Sequence, residues 1–187
     1  MRSYLFFLPL ACLFLGREIF TGIPLRAKIV INKVLDGDTL ELRGGERLRL
    51  AAIDAPELGQ PTALGGLDAG KLATQCLRQI IQSQKEWRLS YLGRDLYGRI
   101  LGDLSSEDIA SLNERLVYEG CCSLYAWAEG DQRKIWRLRE EAQRERRGLW
   151  KYGGFMRPSV WRKKRAHIRR PLKGGKNLLK GQAKTSG

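Results

Sequence analysis

Three short segments hold residues whose types and spacing fit hydrolytic or phosphate chemistry. The first is Asp36-Gly37-Asp38-Thr39, where two carboxylates flank a glycine between apolar runs. The second runs from Arg49 to Glu57, an apolar stretch opened by an arginine and closed by Asp54 and Glu57 on either side of Pro56. The third is Asp95-Leu96-Tyr97-Gly98-Arg99, a turn that delivers an arginine to the start of another apolar run. Each has an ordinary structural explanation in isolation: a hairpin turn, a strand exit stopped by a proline without an N–H, and a solvated surface arginine. The single histidine, His167, lies in a basic tail far from these segments, which disfavours serine and cysteine triads and histidine general bases. If a side chain acts as a base here, it is a carboxylate. The string Gly65-Gly66-Leu67-Asp68-Ala69-Gly70-Lys71 approaches a phosphate-binding P-loop, but Leu72 replaces the required Ser or Thr, so the string reads as a helix start.

The pattern around these segments says what must position them. From Lys28 to Asp54, β-branched and leucine residues punctuated by Asp36-Gly37 and Gly44-Gly45 predict a three-stranded meander. Apolar residues at spacings of three and four predict a helix from Leu67 to Ile81 that packs on the sheet. Trp87 to Leu92 and Arg99 to Leu104 predict a second strand pair around a turn at Gly93 to Gly98. Two helices close the domain, Asp108 to Glu119 stopped by Gly120 and Asp131 to Arg147 stopped by Gly148. Five strands, one helix after the third and helices at the end predict an α+β fold, a five-stranded OB-fold β-barrel with three α-helices.

The chain has 187 residues and a formal net charge of +14. Residues 151–187 hold 12 Lys or Arg and no Asp or Glu, leaving 22 against 20 in the rest, so the basicity belongs to the tail. Such a block attracts polyanions by counterion release, with nucleic acid, anionic lipid and acidic wall polymer all fitting. Residues 1–26 open with Arg2 and an apolar run from Tyr4 to Gly16, the signature of an export signal or short anchor; no A-x-A cleavage site follows. The expected divisions are a leader at 1–26, a folded domain at 27–150 and a disordered basic tail at 151–187. The leader points to secretion or the cell envelope, with a cytoplasmic location as the alternative if the start codon is overextended. Cys12, Cys76, Cys121 and Cys122 show no C-x-x-C spacing; a disulfide framework is not expected, and Cys76 and Cys121 read as core thiols.

In this order and spacing, the three segments resemble the staphylococcal nuclease family, whose hallmark strings are D-G-D-T, R-(x)4-D-x-P-E and Y-G-R. The resemblance continues through Leu112-Asn113, Leu116-Val117, Glu141-Ala142 and Gly148-Leu149-Trp150, covering Ala27 to Trp150. It implies a calcium-dependent endonuclease that hydrolyses phosphodiester bonds of DNA and of RNA and leaves 3′-phosphate ends. Carried over residue by residue, it assigns Ca2+ to Asp38, Asp54 and the backbone carbonyl of Ala55, and catalysis to Arg49, Glu57 and Arg99. Glu57 is the implied base, and the two guanidinium groups grip the phosphate. Tyr97, Tyr125 and Trp127 resemble positions that stack on the substrate. The chain departs from the family at Leu96 and in the lysine-free loop from Leu58 to Gly66, where relatives carry basic residues, and the basic tail is a candidate substitute. The competing readings are a non-catalytic OB-fold nucleic-acid-binding module and an envelope-associated protein whose tail binds a membrane or anionic surface. No protein partner is implied.

Overall fold

The structure, a computed structural model, describes residues 26–125 and 132–168. The expected leader therefore lies almost wholly outside the described residues, as do Trp127 and the last part of the tail.

The chain enters as β1 (Arg26–Ile29) and β2 (Ile31–Val34), then turns back through β3 (Thr39–Leu42), β4 (Arg47–Leu50) and the short β5 (Ile53–Asp54). Helix α1 (Ala69–Gln82) follows, then the long pair β6 (Trp87–Arg94) and β7 (Ile100–Ser105). Helix α2 (Leu112–Tyr118), the short β8 (Ser123–Leu124), α3 (Arg133–Arg144), a 3-10 turn (Gly148–Tyr152) and α4 (Pro158–Ile168) complete the order.

Six strands form one sheet in the order β1-β6-β7-β4-β3-β2. β1 and β2 are separated only by Val30, yet they occupy opposite edges of this sheet. That is possible only if the sheet curls on itself, so β1 and β2 are two halves of one bent first strand that spans the seam. Counted this way, the barrel has the five strands expected from the sequence. The β2-β3-β4 meander and the β6-β7 hairpin are antiparallel, and β4 joins β7 in parallel, with Arg49 opposite Leu101. This is the curled half-barrel of an OB fold.

Alternation explains which faces turn inward. In β4, Leu48 and Leu50 are wholly buried, while on the other face Arg47 is exposed and Arg49 is partly buried. In β7, Ile100, Gly102 and Leu104 are buried while Leu101 and Asp103 between them are only partly so. Helix α1 adds Ala69, Ala73 and Leu77 to the core cluster formed with the sheet. Its start is fixed by Asp68, whose carboxylate accepts from the Lys71 N–H at 3.0 Å. Removing each large core side chain from water contributes roughly 1.5–3 kcal/mol. Helix α2 starts later than its apolar pattern alone indicates. Residues 106–109 form a turn in which Ser106 N donates to the Ile109 carbonyl at 2.8 Å, and the cap is Ser111, which accepts from Glu114 N at 3.1 Å.

Two expectations fail. The thiols of Cys76, on α1, and Cys121, just before β8, are joined in a disulfide with Cα atoms 6.3 Å apart. Counting cysteines missed this pair because the helix and the β8 segment meet only in the folded chain. The boundary at residue 150 with disorder beyond it is also wrong for residues 151–168. The two glycines after Tyr152 make a structured turn: both have φ of +78°, and a Cβ on Gly154 would meet the Trp150 ring at 2.3 Å. The turn stacks Phe155 on Trp150, with ring centroids 5.6 Å apart, and Ala63 N donates to the Gly154 carbonyl at 2.8 Å. Pro158 then sits at the first position of α4, where its missing N–H costs nothing. Among the described residues the fold thus has four α-helices instead of the three expected.

Candidate active site

Asp38 sits at the exit of the β2-β3 turn, and that turn lies directly against β5 and α1. A Cβ on Gly37 would meet the Ala55 Cβ at 2.6 Å and the Ala73 Cβ at 2.8 Å, so only glycine allows the approach. Asp36 shapes the turn by accepting from Asp38 N at 3.0 Å, and the Asp38 carbonyl accepts from Leu50 N, at the end of β4, at 2.9 Å. Hairpin, β4 and β5 are thereby locked together, which brings residues distant in sequence into one cluster.

The cluster centres on Arg49. One of its terminal nitrogens lies 3.1 Å from Asp38 Oδ2 and 3.3 Å from Asp54 Oδ1, while the other donates to the Leu50 carbonyl at 2.6 Å. Asp38 Oδ2 also accepts from Ala55 N at 2.7 Å, and its Oδ1 accepts from the Thr39 hydroxyl at 3.1 Å. Both carboxylates are nearly removed from solvent. Burial pushes the Asp38 carboxyl up to about 7, against the pull of Arg49, with Asp36 and Asp54 adding like-charge repulsion. Burial likewise raises Asp54, opposed by Arg162 and Arg49 and reinforced by Glu57. One guanidinium between two buried carboxylates leaves the site short of positive charge.

Glu57 follows Pro56 in a tight loop. Its N–H donates to Gln60 Oε1 at 3.1 Å and its carbonyl accepts from Gln60 N at 2.9 Å. Gly70, near the start of α1, packs so closely on the Glu57 carbonyl that a Cβ there would lie 2.3 Å from it. The backbone is therefore held on two sides while the carboxylate reaches solvent, its side chain 38% exposed. It is not alone there: Arg162 of α4 pairs with Glu57 Oε1 and lies 3.8 Å from Asp54 Oδ1. Sequence reasoning missed Arg162 because it assigned this stretch to a disordered tail. The readable signals were Pro158 as a helix opener and the apolar Phe155, Val160 and Trp161 within the basic run.

Arg99 stands apart from the carboxylates. It immediately precedes β7, two residues before Leu101, the partner of Arg49 on the adjacent strand. Asp95 holds it, accepting from Arg99 Nε at 2.7 Å and from the backbone N–H groups of Tyr97 and Arg99 at 2.9 and 3.0 Å. Those donors outweigh burial and keep the Asp95 carboxyl below its ordinary value. Tyr97 is 85% exposed, with the Arg99 guanidinium 5.6 Å from its ring centroid. The two line a cleft of about 310 Å³ with Arg47, Glu46 and Arg94. Tyr125 is 38% exposed, and its N–H donates to the Ala52 carbonyl at 3.0 Å. Trp127 lies outside the described residues.

The geometry thus gathers Asp38, Arg49, Asp54 and Glu57 and leaves Arg99 on the neighbouring strand entrance. Asp38, Asp54 and the Ala55 carbonyl are the hard oxygen donors able to hold a divalent cation. Among the described residues, no group of three or more His, Cys, Asp or Glu side chains is placed to hold a metal ion, so any ion here would complete its shell with backbone and water.

The family described as staphylococcal nuclease homologue matches residues 47–152, a span that includes Arg49, Asp54, Ala55, Glu57 and Arg99. Over 135 residues the chain is 34% identical to an uncharacterized endonuclease of Escherichia coli, covering 71% of this chain and 82% of that protein. It is 33% identical over 146 residues to a micrococcal nuclease of Shigella flexneri, covering 71% of this chain and 79% of the relative. A protein of Escherichia coli named ParB is 30% identical over 152 residues, covering 74% and 80%. With more than half of its length matched and relatives aligned over most of theirs, this chain belongs to the staphylococcal nuclease homologue family.

Proposed function

We propose that this chain is a calcium-dependent endonuclease that hydrolyses phosphodiester bonds of DNA and RNA and leaves 3′-phosphate ends. Its nuclease character in general follows from family membership. The finer reading is carried by one observation: two buried carboxylates from different elements share the guanidinium of Arg49, with Glu57 three residues beyond the second. Two such carboxylates with one fixed cation between them suit a second, mobile cation. When bound at Asp38, Asp54 and the Ala55 carbonyl, calcium supplies Lewis-acid polarisation of a phosphate oxygen.

The chain's own side chains carry the remaining roles. Arg49 and Arg99 bind the non-bridging phosphate oxygens, because a guanidinium presents a rigid fork of donors and remains charged at any working pH. Glu57 takes a proton from the attacking water. The water oxygen bonds to phosphorus as the bond from phosphorus to the 5′-oxygen breaks, and the departing 5′-oxygen takes a proton from solvent. The products are a 3′-phosphate and a 5′-hydroxyl. The phosphodiester group is common to DNA and RNA, and contacts confined to it read neither base nor sugar, which fits activity on both. Tyr97, Tyr125 and Trp127 are the stacking candidates, with Tyr97 the most exposed of the two described. The apolar leader adds secretion or envelope placement to the proposal, and sequencing the mature N-terminus checks that part.

The test is digestion of end-labelled DNA and RNA oligonucleotides in calcium, with the new ends identified by their susceptibility to a 3′-phosphatase. Fragments carrying 3′-phosphate support the reading. Fragments with 3′-hydroxyl ends overturn the assigned bond cleavage, and binding without cleavage overturns the enzyme in favour of a binding module.

A further inference from the structure

Helix α4 brings positive charge to a loop that has none of its own. The loop from Leu58 to Gly66 contains no Lys or Arg, whereas Arg162 to Arg165 are four successive cations. The helix is tied to the Glu57 loop and not merely near it. Gln60, wholly buried, donates through Nε2 to the Met156 carbonyl at 2.5 Å, and Thr62 forms a β-bridge with Phe155. The loop that fixes Glu57 and the segment that leads into α4 are therefore one packed unit.

Arg162 stands at the mouth of the cluster, its side chain 47% exposed beside an Asp54 side chain that is 6% exposed. Its partners are Glu57 and Asp54, the two acids that the proposed reaction needs for other tasks. Asp54 is the more distant of the two acids, at 3.8 Å, so Glu57 is the contact that an incoming anion must outcompete. A phosphate entering the mouth would then offer the guanidinium a bidentate anionic partner. A side chain this exposed can turn from one partner to the other without repacking the core.

We propose that Arg162 is a third phosphate-binding arginine, which releases Glu57 as single-stranded nucleic acid enters and takes up a phosphate of the bound strand. This rests on the nuclease reading of the same site. It also gives the C-terminal helix a defined place in substrate binding, in which departure of Arg162 frees the Glu57 carboxylate to act as base.

The experiment uses the full chain, the Arg162→Ala variant and the Arg162→Lys variant, with matched thermal unfolding midpoints as the check on folding. Cleavage of a single-stranded DNA oligonucleotide in calcium gives kcat and KM, and anisotropy of the same labelled oligonucleotide in EDTA gives Kd, both across a salt series. Arg162→Ala is expected to raise KM and Kd about tenfold, as for loss of one charge-assisted hydrogen-bonding group, with kcat near that of the parent. The slope of log affinity against log salt should fall by about 0.7 for the lost contact to a single strand. Arg162→Lys should restore the slope while recovering only part of the affinity. Unchanged KM, Kd and salt slope in Arg162→Ala would overturn the proposal. So would a raised kcat at unchanged KM, since Arg162 would then only obstruct Glu57. A parent chain that binds without cleaving defeats the nuclease reading, and the Kd values still decide this one.

Discussion

Replacing Arg49 by Met tests the site as a piece of folded structure before any substrate is added. The change keeps an unbranched stem but removes the charge that serves Asp38 and Asp54 together at 3.1 and 3.3 Å. The three side chains are 13%, 10% and 6% exposed, so solvent cannot take over as partner. Breaking a buried pair by deleting one member costs about 3–5 kcal/mol, because the remaining charge stays buried and uncompensated. That is a large share of the roughly 5–15 kcal/mol that keeps a domain folded. Urea unfolding in EDTA at pH 8 should therefore show Arg49→Met shifted down by about that amount. Arg49→Lys should lose much less, since a positive charge remains beside both acids. Activity should fail in both, because a point charge lacks the fork that grips phosphate. An Arg49→Met protein as stable as the parent would refute the claim that these carboxylates depend on Arg49.

Further predictions concern the cation, the second arginine and the cross-link. Calcium at a hundredfold over its Kd should stabilise the parent by about 2.7 kcal/mol in a thermal-shift assay, and should do nothing for the doubly substituted Asp38→Asn, Asp54→Asn protein; equal shifts would remove the cation from these residues. Arg99→Ala should keep its unfolding midpoint, since Asp95 retains its bonds to the Tyr97 and Arg99 backbone, while the cleavage rate drops about 10²- to 10³-fold. An undiminished rate excludes Arg99 from phosphate binding. Replacing Cys76 and Cys121 by serine opens a loop of 45 residues and should cost about 4 kcal/mol in urea, while mass mapping of the unreduced parent should find the two peptides joined. Free thiols at both positions in the parent would contradict the cross-link.

How much was legible in the sequence depended on whether the signal was local. The meander expected between Lys28 and Asp54 is present as β2, β3 and β4, and its Leu48 and Leu50 are wholly buried. The apolar spacing that predicts a helix from Leu67 comes within two residues of the observed start at Ala69. The start of α2 was misjudged because the apolar Ile109 belongs to the preceding turn, with Ser111 as the true cap. Beyond residue 150, composition misled. Gly153 and Gly154 look like a flexible linker, but their backbone conformation is what folds Phe155 onto Trp150. In the site, the motif strings pointed to Asp38, Arg49, Asp54 and Glu57, whereas no local pattern could show that Arg162, 105 residues after Glu57, reaches it. The same limit hid the bond between Cys76 and Cys121.

The account depends most on Glu57 acting as a base beside a cation held by Asp38 and Asp54. Digestion of a supercoiled plasmid by the parent and by Glu57→Gln, each in calcium and in EDTA, tests that dependence in one gel. The expected result is nicking and linearisation by the parent in calcium alone, with EDTA abolishing it and Glu57→Gln leaving the plasmid intact while still binding DNA. Cleavage that persists at the parental rate in EDTA, or in Glu57→Gln, contradicts the account.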